Sequence, residues 1–119
     1  MHKIFFMKKV VFVGSGAIGT AVGNVLARKG IDDITLLSIE EEVVDSINNQ
    51  RLNINYFPNI KLSRNLKATT DIEILKDADV IFMAIPSTAV VGYLFDKKDY
   101  INPRAIIVNL AKGFGRGDS

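Results

Sequence analysis

The clearest chemical signal in this chain is a G-x-G-x-x-G pattern formed by Gly14, Gly16 and Gly19. A predicted strand at residues 9–13, apolar apart from Lys9, precedes the pattern, and a stretch with helical spacing of apolar residues follows it. In that context the first glycine permits a tight turn, the second lets a diphosphate approach the backbone, and the third lets the helix pack closely on the strand. The start of the helix offers unpaired N–H groups to the phosphates. The pattern therefore predicts a dinucleotide site, with a glycine-rich turn of an unrelated α/β protein as the alternative.

Strands and helices that alternate along the chain would position this turn. The patterns predict strands at residues 9–13, 34–37, 66–69, 79–85 and 105–110, and helices at about 17–29, 40–50, 71–76 and 88–97. The fourth strand is apolar without alternation, which is typical of a strand buried on both faces of a parallel sheet. Strands that alternate with helices pair in parallel through right-handed crossovers. We therefore predict an α/β fold, a doubly wound parallel sheet (Rossmann fold) with strand order 3-2-1-4-5 in a single domain.

The predicted strand ends indicate where a ligand would lie. Gly14, Pro86 and Lys112 follow the first, fourth and fifth strands. Ligands of such sheets bind outside the carboxyl ends of the strands, where the strand order reverses, so we expect all three residues to face one crevice. Residues 51–65 are polar, rich in asparagine and broken by Pro58. We predict a long loop there, and a loop of that length in a compact domain is usually functional or flexible.

Two helix ends carry recognisable capping patterns. Ser38 and Glu41 have the spacing of a capping box, which predicts that Ser38 caps the second helix. Gly30 follows the last apolar position of the first helix and is predicted to end that helix as its C-cap.

The composition restricts the classes of function. The 119 residues carry a net charge of +2 with basic and acidic residues interspersed, which does not suggest a nucleic-acid partner. The chain contains no cysteine and a single histidine, His2, so we predict no metal site and a cytoplasmic location. No apolar run is long enough to span a membrane. We divide the chain into a leader at 1–7, a dinucleotide-binding domain at 8–114 and a flexible tail at 115–119.

The residue at the end of the second strand bears on the choice of cofactor. An acidic residue usually holds the adenosine ribose about 20 residues after the glycines, and Ser38 stands at that position. A serine would leave room for a 2′-phosphate and thus for NADP. Glu40, Glu41 and Glu42 follow at once, however, and their carboxylates would repel a phosphate dianion. We therefore favour NAD and leave NADP open.

Several segments of the chain together resemble one enzyme family. The matching segments are GSGAIGTA at 14–21, INNQRLNINYFP at 47–58, LKATTD at 66–71, the stretch 78–87 that ends in AIPS, and AKG at 111–113. In this combination the chain resembles the N-terminal half of NAD(P)-dependent glycerol-3-phosphate dehydrogenase, and the resemblance extends over residues 7–114. The loop segment, taken with IPS and KG, is more specific than the glycines alone.

The resemblance implies an activity and a set of site residues. The family transfers a hydride between NAD(P)H and dihydroxyacetone phosphate, which gives sn-glycerol 3-phosphate. By resemblance, Pro86 would line the nicotinamide pocket, and Lys112 would touch both the cofactor and the small phosphorylated substrate. The residues that we predict to contact the cofactor are Gly14, Ser15, Gly16, Ala17, Ile18, Gly19, Ser38, Ile39, Tyr56, Pro86 and Lys112.

The same resemblance implies what this chain lacks. The family carries a helical C-terminal catalytic domain that supplies further catalytic and substrate-binding groups. We assign no catalytic residue within this chain and expect the chain alone to be inactive, while the full-length protein could form a homodimer. Three positions depart from the family: Ile18 replaces an aromatic residue, Ser63 replaces a proline, and Ile39 replaces a basic or polar residue.

Two other functions remain as alternatives from the sequence. The first is a stand-alone NAD-sensing regulatory module, whose length would suit this chain. Such sensors usually keep an acidic residue where Ser38 stands and have little need of Lys112. The second is another dehydrogenase with the same half-fold, against which the loop at 48–58 argues.

Overall fold

The centre of the molecule is a parallel sheet, seen in a computed structural model that describes residues 8–110. The strands and helices in chain order are β1 (Val10–Val13), α1 (Ala17–Arg28), β2 (Ile34–Leu37), α2 (Glu41–Gln50), β3 (Leu66–Thr69), β4 (Val80–Met83), α3 (Ser87–Asp96) and β5 (Ile106–Asn109). Two short 3-10 helices, Ile72–Asp77 and Lys98–Tyr100, precede β4 and follow α3. No helix within 8–110 has the length and apolar character needed to cross a bilayer. The predicted leader, the tail and Lys112 lie outside the described residues.

The sheet has the strand order β3-β2-β1-β4-β5, which confirms the predicted order 3-2-1-4-5. Every neighbouring pair is parallel, and the central position of β1 is seen in Val10, which lies opposite Ile34 of β2 and Val80 of β4. From β1 the chain builds β2 and β3 on one side and then crosses to build β4 and β5 on the other. The strand order therefore reverses between β1 and β4, and this places a crevice beyond the carboxyl ends of those strands.

Alternating side chains of the central strand build two separate cores. Val10 and Phe12 belong to the core under α1 and α2, whereas Val11 and Val13 belong to the core under α3 and the first 3-10 helix. Phe12 also stacks on Phe82 of β4, with ring centroids 4.6 Å apart. Successive strand residues point to opposite faces, so a strand that is apolar throughout is buried on both faces. This three-layer packing holds β1 firmly beneath the turn that follows it.

The two predicted helix caps differ in outcome. Gly30 follows α1 with a φ of +105°, as expected of a glycine that ends a helix, although the C-cap itself is Lys29 and Gly30 is the next residue. The predicted capping box is wrong, because α2 begins at Glu41 with Glu40 at its N-cap and no side chain caps it. The Ser38 hydroxyl instead accepts the N–H of Glu40 at 3.0 Å. That hydroxyl also bonds Ser15, so Ser38 stays with the end of the sheet and the helix begins later.

Candidate functional site

Two of the three motif glycines are required by the fold itself. Gly14 leaves β1 with a φ of +114°, where other residues are strained. A Cβ on Gly14 would lie 2.7 Å from the carbonyl oxygen of Ala84, and a Cβ on Gly19 would lie 2.6 Å from the carbonyl oxygen of Gly14. Both distances are too short for a side chain. The first glycine therefore makes the turn and the third lets α1 pack against it, as the spacing predicted.

Gly16 differs because nothing inside the fold requires a glycine there. Its φ is −77°, which any residue adopts. The nearest heavy atom to a Cβ built on Gly16 is Cζ of Tyr56, at 3.9 Å, which is an ordinary contact distance. Gly16 lines the cavity described below. The space above its backbone is therefore open on the side where a ligand would enter.

The first turn of α1 suits an anion. Gly16 is the N-cap of α1, no side chain caps the helix, and its first turn contains no acidic residue. The first N–H groups of a helix have no partner within the helix, and the helix dipole places partial positive charge at that end. A phosphate at this end would meet both the free donors and the favourable potential.

A cavity of about 720 Å³ opens above the glycine turn, within the usual range for a ligand site. Of the predicted residues, the cavity is lined by Gly14, Ser15, Gly16, Ser38, Ile39, Tyr56 and Pro86. Ala17 and Ile18 do not line it and are exposed on the first turn of α1, while Gly19 is buried beneath the turn. The expected crevice thus brings Gly14 and Pro86 together, and Lys112 falls outside the described residues.

Ser38 lies at the rim between β2 and α2, but its hydroxyl is already engaged. The side chain is buried, its Oγ lies 2.7 Å from Oγ of Ser15, and it accepts the Glu40 N–H. A hydroxyl has one proton and two lone pairs, so little hydrogen-bonding capacity is left for a ligand. Ser38 shapes the rim, while Ile39 is 98% exposed beside it.

Besides the seven predicted residues, nine others line the cavity, and three of these nine carry ionisable side chains. Glu40 lines the rim next to Ile39 and accepts a hydrogen bond of 3.3 Å from Nδ2 of Asn55. Tyr93 and Lys97 line the opposite side from α3 and its C-cap. Their spacing of four residues predicts a shared helix face. Only the docking of α3 on the sheet reveals that this face is turned to the cavity.

The ionisable groups of the cavity are held in different ways. Burial raises the pKa of the Tyr93 phenol, and the Asp96 carboxylate raises it further. Nζ of Lys97 lies 3.1 Å from the Asp96 carboxylate in an exposed pair, which contributes little to stability. Tyr93 therefore remains a neutral phenol at physiological pH, able both to donate and to accept a hydrogen bond.

The predicted loop at 51–65 is confirmed, and it is anchored to the site. Leu62 and Asn53 of this loop are buried. Nδ2 of Asn53 donates to the carbonyl oxygen of Ser15 at 2.8 Å. The loop thereby carries Tyr56 to its position over Gly16. Burial of an asparagine in a polar loop has no signal in the sequence, because such residues are usually solvated.

Comparison with known proteins gives a consistent result across sequence and structure. The sequence model described as NAD-dependent glycerol-3-phosphate dehydrogenase N-terminus matches residues 9–119. The glycerol-3-phosphate dehydrogenase (NAD(P)+) of Carboxydothermus hydrogenoformans is 42% identical over 110 residues, which are 92% of this chain. The enzyme of the same name from Leptospira biflexa is 43% identical over 106 residues, which are 88% of this chain. The chain spans 32% of the length of each relative.

A solved structure matches the fold as well. The crystal structure of glycerol-3-phosphate dehydrogenase from Coxiella burnetii is similar to this chain with a TM-score of 0.76 at 31% sequence identity. The match covers 87% of this chain and 32% of that one. Sequence and fold therefore indicate the same kind of domain. This domain corresponds to about a third of the length of the matched enzyme.

Proposed function

The chain belongs to the NAD-dependent glycerol-3-phosphate dehydrogenase N-terminus family, and on that premise we propose that it binds NAD(H) or NADP(H). In the whole protein, a hydride would pass between the nicotinamide and dihydroxyacetone phosphate or sn-glycerol 3-phosphate. The chain spans 32% of the length of its relatives. We therefore assign cofactor binding to this domain and the complete reaction to the whole protein.

The observation that carries this proposal is the open backbone at Gly16. Neither the conformation of Gly16 nor its packing requires a glycine, and its open side faces the cavity at the uncapped start of α1. A diphosphate that lies against this backbone uses the space that a side chain would fill. The N–H groups of Ala17 and Ile18, in the first turn, then face the same anion.

The remaining predicted residues would hold the rest of the cofactor. Ser38, Ile39 and Tyr56 would contact it on the side of β2, and Pro86 would line the nicotinamide pocket at the end of β4. Lys112 would contact both cofactor and substrate, where an ammonium group stabilises negative charge on an oxygen of the substrate. The bound nicotinamide supplies or accepts the hydride.

We further propose that NAD(H) is preferred over NADP(H). The Ser38 hydroxyl is engaged with Ser15, and the Glu40 carboxylate lines the cavity beside Ile39 at this rim. A 2′-phosphate placed at this rim would be repelled by that carboxylate. Glu41 and Glu42 lie in the first turn of α2 and add to the same negative potential.

Compartment and assembly are also proposals. We propose a cytoplasmic location, which the absence of cysteine from the 119 residues supports. The substrate would be a small phosphorylated molecule. The homodimer of the full-length protein rests on the family resemblance, and sedimentation of that protein tests it. A stand-alone sensor and another dehydrogenase of the same half-fold were the alternatives, and the family match supports neither.

Calorimetric titration of the chain with NADH tests the proposal. We expect saturable binding of modest affinity, and we expect Gly16→Val to abolish it because the new side chain would occupy the place of the diphosphate. Gly92→Val is the matched control, since Gly92 is an exposed glycine of α3 with no heavy atom within 4 Å of a Cβ. Absence of saturation at millimolar NADH, or equal binding by Gly16→Val, would overturn the proposal.

A further inference from the structure

Asn53 is a fully buried polar residue in a loop that is otherwise largely exposed. Its Nδ2 donates to the carbonyl oxygen of Ser15 at 2.8 Å and to Oγ1 of Thr20 at 2.9 Å. Its Oδ1 accepts the N–H of Asn55 at 3.2 Å. The two hydrogen bonds that the amide donates thus cross the fold, one to Ser15 in the glycine turn and one to Thr20 in α1, 38 and 33 residues away in sequence.

Thr20 completes a buried triangle of hydrogen bonds around the Ser15 carbonyl. The Thr20 hydroxyl is fully buried and donates to the Ser15 carbonyl oxygen at 3.1 Å. That oxygen therefore accepts from two side chains, those of Thr20 and Asn53. The orientation of the peptide that joins Ser15 to Gly16 is consequently set by side chains as well as by the strand and the helix.

The orientation of this peptide determines where the Gly16 N–H points. In a trans peptide, the C=O and the N–H point in opposite directions. Asn53 and Thr20 hold the Ser15 carbonyl inward, so the Gly16 N–H is directed away from them. Gly16 lines the cavity on that open side. The buried triangle thus aims a backbone donor at the place where the diphosphate is proposed to lie.

The main chain of Asn53 also positions the aromatic residue over the turn. The Asn53 carbonyl oxygen accepts the N–H of Tyr56 at 3.2 Å and the N–H of Phe57 at 2.7 Å. These bonds close a tight turn that carries the Tyr56 ring to the cavity, with its Cζ 3.9 Å from a Cβ built on Gly16. One residue therefore connects the floor of the site to the side chain above it.

We infer that Asn53 is a positioning residue for cofactor binding, which it serves by orienting the Ser15–Gly16 peptide and by holding Tyr56 over it. This inference rests on the proposed function, because it concerns binding of NADH at the same turn. A purely structural asparagine would stabilise the fold and leave the affinity of the folded domain unchanged. A positioning residue changes that affinity even when the domain is fully folded.

The test compares Asn53→Ala with Asn48→Ala. Asn48 clamps β3 with the same kind of bonds, since its side chain donates to the Ala68 carbonyl oxygen at 2.9 Å and accepts the Ala68 N–H at 3.0 Å, without contact to the turn. Both substitutions should lower the free energy of unfolding, as measured by urea unfolding. At a temperature where circular dichroism shows both to be folded, Asn53→Ala should bind NADH about tenfold more weakly or worse, and Asn48→Ala should bind like the unsubstituted chain.

Thr20 supplies a second test that removes far less volume. Thr20→Val keeps the shape and loses the hydroxyl, whereas Thr20→Ser keeps the hydroxyl. We expect Thr20→Val to weaken NADH binding and Thr20→Ser to retain it. If Asn53→Ala does not fold, this pair of variants tests the positioning role instead. If folded Asn53→Ala or Thr20→Val binds NADH as tightly as the unsubstituted chain does, this inference is overturned and the proposed function still stands. Absence of NADH binding by the unsubstituted chain would overturn the proposed function and, with it, this inference.

Discussion

Ser15 and Ser38 share a buried hydrogen bond of 2.7 Å between their hydroxyl oxygens, which joins the segments that leave β1 and β2. The bond stands where dinucleotide-binding folds usually place an acidic residue for the ribose. It closes this part of the cavity wall with two neutral groups. The negative charge at this rim comes instead from Glu40, which lies farther along the chain.

A double-mutant cycle measures this hydrogen bond. Ser15→Ala and Ser38→Ala should each lower the free energy of unfolding by about 1–2 kcal/mol, because each leaves a buried hydroxyl without this partner. The double variant should lose less than the sum of the two single losses. Urea unfolding of the four proteins gives the coupling energy. Strictly additive losses would show that the two hydroxyls do not support each other.

Glu40 should control the choice between the two cofactors. Glu40→Gln removes the carboxylate at nearly constant size, and we expect it to raise the affinity for NADPH relative to NADH by roughly fivefold at low salt. Glu42→Gln should change this ratio less, because Glu42 is exposed on α2 and does not line the cavity. Parallel titrations with both cofactors give the ratio. Tighter binding of NADPH than of NADH by the unsubstituted chain would contradict the proposed preference.

Two glycines should respond in opposite ways to alanine. Gly19→Ala places a Cβ 2.6 Å from the Gly14 carbonyl oxygen, so the helix must shift, and we expect a loss of about 1–3 kcal/mol in stability. At Gly92 no heavy atom lies within 4 Å of a Cβ, and Gly92→Ala should gain up to about 1 kcal/mol from helix propensity. Thermal or urea unfolding distinguishes the two. A neutral Gly19→Ala would mean that close packing at this position is unnecessary.

Tyr93 should make stability depend on alkaline pH. Burial, with Asp96 adding to it, raises the pKa of Tyr93 in the folded state above its ordinary value. The neutral phenol is thus favoured by folding, and its contribution is complete below about pH 10. This contribution is lost as the pH rises through the raised pKa. The unsubstituted chain should therefore lose more stability than Tyr93→Phe between neutral and strongly alkaline pH, as measured by urea unfolding.

The chain alone should bind the cofactor without catalysing the reaction. The relatives are about three times as long, since this chain spans 32% of their length, and catalysis requires further groups positioned on the substrate. We expect no oxidation of NADH with dihydroxyacetone phosphate in an absorbance assay of the pure 119-residue chain. Turnover that follows the purified protein and disappears with Gly16→Val would show that the essential groups lie within this chain.

Much of the fold could be predicted from the sequence because the relevant signals are local. The apolar strand at 79–85 carries no alternation, and β4 lies buried within the sheet as this implies. Gly14 and Gly19 have the spacing that is typical of a strand–turn–helix. Glycine is required at both positions because a Cβ there would clash with a backbone carbonyl oxygen. The capping box was wrong because the Ser38 hydroxyl bonds Ser15, a partner 23 residues away that no local pattern reveals.

The cavity was predictable only in part, for a related reason. Residues beside the glycines or at strand ends, such as Ser15 and Pro86, line it as expected. Tyr93 and Lys97 join it only because α3 docks with that face towards the crevice. Their position depends on the packing of a whole helix, which the spacing of residues within that helix does not specify.

By itself, the sequence determined the parallel alternation of strands and helices, the glycine turn and the family, because short-range backbone and packing requirements leave a periodic pattern. Only the tertiary structure decided that Asn53 supports the Ser15 carbonyl from 38 residues away, and that Ser38 is engaged with Ser15. Hydrogen bonds of this kind depend on which distant segments meet. The sequence around a polar loop residue looks the same whether that residue is exposed to solvent or buried beneath a binding site.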